Sequence, residues 1–219
     1  QQVLYTETLL WHQVMRPALK LRIQGRLVAI LPHRAGTHMV VRYDASSPSH
    51  QPVFTEYVGA LLRRVRCIGE GKGVENLPRV PDCPTESPAV WEKLISIDQF
   101  AAHVFDGCTN MHFPIHTSFK FARQVGLKEP ILHGVATVSF ALRELLDREG
   151  GGDPTRLAQL SCTFTGMVVP GTDILVRLLG KEEHPERLDL FFDVLNSEGR
   201  RAISGGYIHL GASRMGEGG

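Results

Sequence analysis

The feature that most constrains the fold is one long helical pattern that stands between two series of strand patterns. It runs from residue 134 to about 148, where the sequence GGGDP ends it. The apolar residues that recur there at helical intervals are Val135, Val138, Leu142 and Leu145. Apolar and polar residues then alternate in LSCTF and LDLFFDV, as is typical of strands, and further strands are predicted in DILVRLL, after a PGT turn, and in RAISGGYIHLG. We therefore predict an α+β fold in which an antiparallel sheet wraps around a central helix.

The N-terminal part, residues 1–68, also has the pattern of strands. In LKLRI the residues Leu19, Leu21 and Ile23 alternate with polar residues, which predicts a half-buried strand. Further strands are predicted in RLVAIL, HMVVRYDA and PVFTEYVGALLRRVRC. No helical pattern lies between Arg16 and Cys67. This part therefore predicts strands without a helix of their own.

A segment rich in proline and glycine, residues 69–90, separates this part from the rest of the chain. Its prolines stand at positions 78, 81, 84 and 88. Proline has no amide donor and fixes φ, so the segment can hold neither a helix nor a central strand. We predict that it links residues 1–68 to a complete domain at residues 91–219.

Two further helices are predicted early in that domain. Ser96 and Gln99 have the spacing of a capping box, and an apolar face follows them at Ile97, Phe100, Ala101 and Val104. A short helix is expected at residues 118–125, with Gly126 ending it.

The composition excludes several classes of protein. The 219 residues carry a formal charge of +1 with both signs interleaved, so no basic face indicates nucleic acid or an anionic membrane. No apolar stretch is long enough to cross a bilayer, and we predict no secretory signal. The cysteines Cys67, Cys83, Cys108 and Cys162 lie far apart, which favours reduced thiols, no metal site and a cytoplasmic protein.

The stretch FPIHTSFKFARQVGLKEPILHG, residues 113–134, holds the candidate site. Gly134 begins the long helix, where free amides and the helix dipole favour a negatively charged oxygen. His116 is a candidate for moving a proton at an adjacent carbon. Taken alone, this spacing also fits a packing histidine and an ordinary helix start, and it leaves both interpretations open.

Two motifs in this stretch resemble those of the MaoC-like dehydratases, also called (R)-specific enoyl-CoA hydratases or hydratase 2. The family's S-G-D-x-N-P-[LIV]-H motif is matched at its end by Pro114-Ile115-His116, and its P-[IVL]-x-H-G element by residues 130–134. The resemblance covers roughly residues 91–211. It implies a hot-dog fold, here a double hot-dog with an incomplete N-terminal unit. It also implies that His116 is the general acid/base and that the Gly134 amide holds the thioester oxygen, with no cofactor.

The chain departs from the motif at two positions. The catalytic Asp is replaced by Met111 and the Asn by Phe113. Three candidates for the missing polar group are Asp106, Asn110 and His112, each of which also fits a turn or a solvated loop. Alternatively, His116 acts alone, or the site binds acyl groups without turnover.

The replaced positions and their neighbours are candidates for substrate binding. Met111 and Phe113 would make an apolar wall for a bulky acyl chain, and Ile131 and His133 would join them. His133 also fits a role in fixing the loop through a backbone hydrogen bond.

The sequence therefore predicts a hydratase/dehydratase that interconverts enoyl and 3-hydroxyacyl thioesters of coenzyme A or an acyl carrier protein. A non-catalytic acyl-binding or accessory subunit is the alternative that Met111 and Phe113 favour. A thioesterase with a carboxylate on the long helix, at Glu144, is a third. Because hot-dog units leave a sheet edge to cover, we also predict a homo-oligomer, a dimer.

Overall fold

The computed structural model describes residues 2–82 and 88–212, and its described strands form a single antiparallel sheet of nine strands. The strands are β1 (Gln2–Trp11), β2 (Arg22–His33), β3 (Gly36–Ser46), β4 (Pro52–Arg63), β5 (Trp91–Ser96), β6 (Leu157–Phe164), β7 (Asp173–His184), β8 (Arg187–Leu195) and β9 (Arg201–Leu210). Their order across the sheet is β2-β3-β4-β1-β6-β9-β8-β7-β5. The predicted α+β class is confirmed.

Two halves of the sheet repeat the same strand order. From the centre outward, the N-terminal half runs β1-β4-β3-β2 and the C-terminal half runs β6-β9-β8-β7. The halves meet where β1 pairs with β6, from Thr6 opposite Thr163 to Leu10 opposite Gln159. Only the C-terminal half, among the described residues, adds an outer strand (β5) and a long helix. The two halves therefore form one continuous sheet, and their division into domains stays a prediction.

Three α-helices follow β5: α1 (Ala101–Thr109), α2 (Phe119–Gln124) and α3 (Gly134–Glu149). The long helix α3 lies within one residue of its predicted bounds. Its buried residues, among them Val138, Ala141 and Leu145, pack with Leu160 and Ile208 of the sheet in the main hydrophobic core. Burying this apolar side of α3 against the sheet contributes hydrophobic stabilisation to the C-terminal half.

The face of the sheet that carries α3 continues across the N-terminal half. Side chains directly opposite one another in paired strands share a face, which links Cys162, Glu7, Val58, Val41 and Leu27 in one row over five strands. Cys162 belongs to the core beneath α3, whereas Leu27 at the other end of the row is 51% exposed.

The segment between the halves follows the outer edge of β2. The amides of Lys72 and Ile30 each donate to the other's carbonyl, at 2.8 and 2.9 Å. Asn76, in a short 3-10 helix at Val74–Asn76, donates from its side chain to the carbonyl of Val28. Leu77 then packs on a small core.

That small core lies on the sheet face opposite α3. It contains Val40 and Tyr57, and Tyr57 lies opposite Thr8 in the register of β1 and β4. Thr8 is adjacent to Glu7 and therefore points to the other face. The connecting segment and α3 thus cover opposite faces of the sheet.

Two local predictions were wrong. Ser96 is not a helix cap, because it is the last residue of β5 and its hydroxyl donates to Asp173 at 2.6 Å. Helix α1 begins at Ala101 instead, and the predicted apolar residues Phe100 and Val104 are 57% and 60% exposed.

The predicted half-buried strand LKLRI is the other error. The strand β2 begins only at Arg22, and Ile23 is 55% exposed because it lies on the edge strand. Cys67, Cys108 and Cys162 are free thiols, and Cys83 lies outside the described residues.

Candidate active site

The candidate site lies where the loop after α1 meets the segment that leads into α3. Pro114–His116 form one turn of 3-10 helix, and Ser118 then caps α2 by accepting a hydrogen bond from the Phe121 amide at 3.2 Å. The amide of Ile131 donates to the Ile115 carbonyl at 3.3 Å. These bonds bring the two separated motifs together.

The side chain of His116 is fixed by one backbone carbonyl. Its Nδ1 lies 2.8 Å from the carbonyl oxygen of Ile131. A carbonyl only accepts, so Nδ1 must carry the hydrogen. In the neutral ring Nε2 then holds the free lone pair and is the atom able to accept a proton.

Gly134 lies at the first position of α3, next to a large side chain. The first amides of a helix have no partner within the helix, and the helix dipole adds positive potential there. A Cβ at Gly134 would stand 2.8 Å from Cδ1 of Phe164 on β6, so no other residue fits without a shift. Because position 134 is a glycine, the first amides of α3 can lie close to the C-terminal end of β6.

A buried imidazole lies directly against His116. The rings of His116 and His133 are stacked with 3.6 Å between centroids and 25° between planes. Nε2 of His133 is 2.8 Å from Oδ1 of Asp106 and 3.4 Å from the carbonyl of Met111. The Asp106 contact is short but is not a well-directed hydrogen bond, because Oδ1 lies off the ring N–H direction. Phe105 packs against the same ring at 4.7 Å.

The surroundings of His116 act on its basicity in both directions. Burial lowers its pKa below the ordinary value of 6.5, while the hydrogen bond to Ile131 raises it. The His133 charge lowers the pKa of His116 further, and the Asp106 charge raises it. The net direction is downward, so His116 is neutral and basic at neutral pH.

The remaining candidate residues are distributed unequally around this centre. Asp106 lies in the last turn of α1, and its carboxylate is buried. Asn110 follows α1 in a left-handed conformation, and its side-chain oxygen pairs with Nε2 of His112 at 2.9 Å. Both lie on the surface, and His112 is 3.8 Å from Asp106. The predicted apolar wall of Met111 and Phe113 is about half exposed to solvent.

The Phe113 ring connects that wall to His116, and the ring of Phe121 packs against Phe113. Met111 is 50% exposed and Phe113 is 53% exposed. The Phe113 ring lies 6.3 Å from the ring of His116 and 5.6 Å from that of Phe121 on α2. Phe113 therefore reaches from solvent to His116, whereas Ile131 acts here through its carbonyl.

A group with the residue types of a metal site lies elsewhere in the described part of the chain. Glu182, His184 and Asp189 converge at the end of the β7–β8 hairpin. However, Arg187 lies 3.0 Å from Asp189, and Tyr207 donates to it at 3.0 Å. A guanidinium at this position already balances the buried carboxylate, so these residues form an ion-pair network.

The family follows from a comparison with known proteins. Residues 84–187 match the family described as MaoC like domain. This stretch is a MaoC-like dehydratase domain. It contains both motifs that meet at His116 and Gly134, and the resemblance predicted from them is confirmed.

Of three curated relatives, two are named as a hydratase or a dehydratase. The chain is 30% identical over 138 residues to peroxisomal multifunctional enzyme type 2 of Drosophila melanogaster, covering 63% of the chain and 22% of that protein. It is 28% identical over 195 residues to 3-hydroxyacyl-thioester dehydratase Y of Mycobacterium tuberculosis, covering 87% and 65%. Enoyl-CoA hydratase 2 of Arabidopsis thaliana is 29% identical over 97 residues, or 44% and 30%. The chain thus spans less than two thirds of each relative.

Solved structures show the same fold. A MaoC-like dehydratase of Phytophthora capsici superposes with a TM-score of 0.82 at 20% identity, covering 97% of this chain and 72% of that one. Full-length peroxisomal multifunctional enzyme type 2 of Drosophila melanogaster gives 0.78 at 21% identity, covering 95% and 37%. The predicted hot-dog fold is confirmed. None of the described helices is long and apolar enough to span a membrane.

Two features of the site were not predicted from the sequence. Phe164 lies so close to position 134 that any side chain there would require a shift, and Asp106 contacts His133 rather than His116. The first had no local signal, because Phe164 belongs to a strand far along the chain. The second had a weak one, namely a carboxylate in the last turn of a short helix just ahead of the motif.

Proposed function

We propose that this chain interconverts enoyl and 3-hydroxyacyl thioesters by adding and removing water, with His116 as the general acid/base. The observation that carries the proposal is the hydrogen bond from His116 Nδ1 to the Ile131 carbonyl. It leaves Nε2 as the basic atom, in a loop tied to the segment that enters α3. The family's hydratase and dehydratase chemistry supports this assignment.

The reaction follows from these two groups. Nε2 of His116 takes a proton from water while the water oxygen bonds to the β-carbon of the enoyl thioester. The electrons of the double bond move toward the thioester carbonyl, and the negative oxygen is held by the Gly134 amide and the positive end of α3. The imidazolium then gives its proton to the α-carbon, which completes the 3-hydroxyacyl thioester and restores the neutral ring.

The acyl chain would lie along the half-exposed side chains beside the base. Met111 and Phe113 supply apolar surface there, and Phe113 packs edge-on toward His116. Substrates with bulky or aromatic acyl groups, carried by coenzyme A or an acyl carrier protein, suit this surface best. No group on the exposed side of the loop is needed for the proton transfer, so Asn110 and His112 are proposed to contact the thioester carrier or solvent.

A second candidate function rests on the same two residues. Met111 can neither accept a proton nor polarise water, and Phe113 cannot provide the polar contacts of an amide. A site that keeps the acyl surface and the Gly134 amide without rapid turnover would be an acyl-thioester-binding or accessory subunit.

One assay separates these functions. Purified protein is incubated with a medium-chain trans-2-enoyl-CoA, and separately with the 3-hydroxyacyl-CoA, and the products are measured by mass spectrometry. Interconversion supports the hydratase/dehydratase, and His116→Ala should slow it about 100-fold or more. Tight binding without conversion supports the accessory role, and release of free coenzyme A supports a thioesterase. Unchanged turnover in His116→Ala would remove His116 from the mechanism.

We also propose that the chain self-associates and is cytoplasmic. The exposed apolar residues Ile23 and Leu27 support association, because they lie on the edge strand β2 ahead of the stretch that pairs with Lys72 at Ile30, and such an edge is a common pairing site. Light scattering after size-exclusion chromatography would report a dimer, and a monomer at high concentration would contradict it. The free thiols support a reducing compartment, which imaging of a tagged full-length protein would check.

A further inference from the structure

The carboxylate that the motif lacks at position 111 has a counterpart on another element. Asp106 lies in α1, with only 7% of its surface exposed. A buried carboxylate is costly unless it has a partner. Its close partner is His133 at 2.8 Å, and His112 is further away at 3.8 Å. Asp106 therefore faces the buried imidazole rather than solvent.

His133 connects this carboxylate to the base. Its Nε2 faces two oxygens, Oδ1 of Asp106 and the carbonyl of Met111, and both can only accept when the carboxyl is ionised. Nε2 therefore carries the hydrogen of the neutral ring. The opposite nitrogen, Nδ1, is buried without a hydrogen-bond partner among the described residues. The polar contacts that hold the ring are therefore on its Nε2 side.

The stacking of the two rings couples the orientation of His116 to that of His133. With 3.6 Å between ring centroids, any tilt of His133 must displace His116 or open a gap. The titratable groups that act on His116 are His133, at the entrance to α3, and Asp106, from α1. Two further groups contact His116: the ring of Phe113, from the same loop, and the carbonyl of Ile131, from the segment that precedes α3. Neither of them titrates.

We propose that Asp106 is a positioning residue that replaces the missing motif carboxylate indirectly, by holding the His133 ring flat against His116. This inference rests on the proposed role of His116 as the base. Asp106 touches no reacting atom. Its charge stabilises the imidazolium that His116 forms during turnover, while the stacked His133 ring fixes the orientation of the base.

The test uses Asp106→Asn, which keeps the shape and the acceptor oxygen but removes the charge. The pKa of His116 is measured by NMR titration of the chain with isotope-labelled histidine, so that no activity is required. Because the Asp106 charge raises this pKa, we expect it to fall in the variant. We also expect kcat to fall on the order of 10- to 100-fold with KM nearly unchanged, since only the proton transfer is affected.

The control is Asp147→Asn, which makes the same change of charge on the exposed side of α3. It should leave both the His116 pKa and kcat unaltered. An unaltered His116 pKa in a folded Asp106→Asn protein would overturn the proposal. If the wild-type chain turns over no thioester but the pKa shift is present, the positioning role stands and the proposed hydratase function fails.

A second measurement does not depend on the stability of any variant. Nitrogen chemical shifts of the wild-type histidines report which ring nitrogen carries the hydrogen at neutral pH. We expect Nε2–H on His133 and Nδ1–H on His116. A His133 ring protonated on Nδ1 would contradict the proposed contact with Asp106.

Discussion

Gly134 and Phe164 lie so close that a side chain at position 134 would need the start of α3 or the aromatic ring to shift. A Cβ at position 134 would stand 2.8 Å from Cδ1 and 3.0 Å from Cε1 of that ring. This contact holds the start of α3 close to the last residue of β6. It also explains in physical terms why the P-[IVL]-x-H-G element ends in glycine here.

Gly134→Ala should therefore damage the proposed reaction more than the fold. The added methyl must push the helix start or Phe164 aside, which moves the proposed oxyanion donor and lowers kcat by roughly tenfold or more. Steady-state kinetics and a thermal melt would separate the two effects.

Gly107→Ala is the matched control for that change. Gly107 lies on the exposed side of α1, and a Cβ there meets no atom within 4 Å. Alanine is favoured over glycine in a helix by about 1 kcal/mol, so this variant should be fully active and no less stable. Full activity in Gly134→Ala would show that the start of α3 tolerates the shift.

The lowered pKa of His116 predicts the pH dependence of hydration. His116 must be unprotonated to accept a proton from water, so kcat/KM rises with pH and reaches half its maximum at the pKa of the free enzyme. Since burial lowers that pKa, the midpoint should lie below 6.5, the ordinary value for histidine. A midpoint above 6.5 in a pH–rate profile would mean that another group is the base.

Part of the fold and site was predictable because its causes are local. The period of apolar residues predicted α3 correctly. The two motifs gave His116 and Gly134 as candidates, and the structure brings these motifs together. Local signals misled where pairing across the sheet decided the outcome, as at Ser96, which bonds to Asp173 on β7 instead of capping a helix. Strand β1 was missed because TETLLW lacks strict alternation, although it lies at the centre of the sheet.

The contact of Asp106 with His133 could not be predicted from the sequence for a related reason. It depends on the angle at which α1 leaves β5 and on the loop that brings residue 133 back beneath it. Neither is coded within a short window of sequence. The site is thus assembled by the packing of α1 and α3 as much as by its motifs.

The connecting segment should be sensitive at Gly73 because of its close approach to β2. Gly73 has φ +92°, and a Cβ there would collide with the Val28 carbonyl and approach the Ala29 backbone. Gly73→Ala should break the Lys72–Ile30 pairing and lower the free energy of unfolding by about 1–3 kcal/mol. Chemical denaturation, with hydrogen exchange at Ile30 as a local report, would measure this.

Gly69→Ala separates that collision from backbone strain alone. Gly69 also has a positive φ, +81°, but a Cβ there meets nothing within 4 Å. Both variants carry the cost of a left-handed alanine, and only Gly73→Ala adds the collision. Equal losses of stability in the two would show that the segment is not held against β2 in solution.

Glu7 should make the stability of the central strands depend on pH. It lies between Val58 on β4 and Cys162 on β6, next to Glu56. Burial, then a hydrogen bond with Glu56 and the charge of Glu56, raise the pKa of Glu7 to about 8. The unfolded chain has the ordinary value of 4.5, so it releases the proton at lower pH than the folded chain does. Stability is therefore greatest below pH 4.5 with respect to this group, and falls as the pH rises toward 8.

Glu7→Gln removes that dependence and should stabilise the protein at high pH. We expect the variant and the wild type to unfold at the same denaturant concentration near pH 4 and the variant to be the more stable near pH 8.5. Glu75→Gln, at an exposed position in the connecting segment, is the control and should follow the wild type at both pH values. If Glu7→Gln gained nothing at the higher pH, Glu7 would be ionised without penalty, and the face of the sheet beside α3 would be open to water at this row.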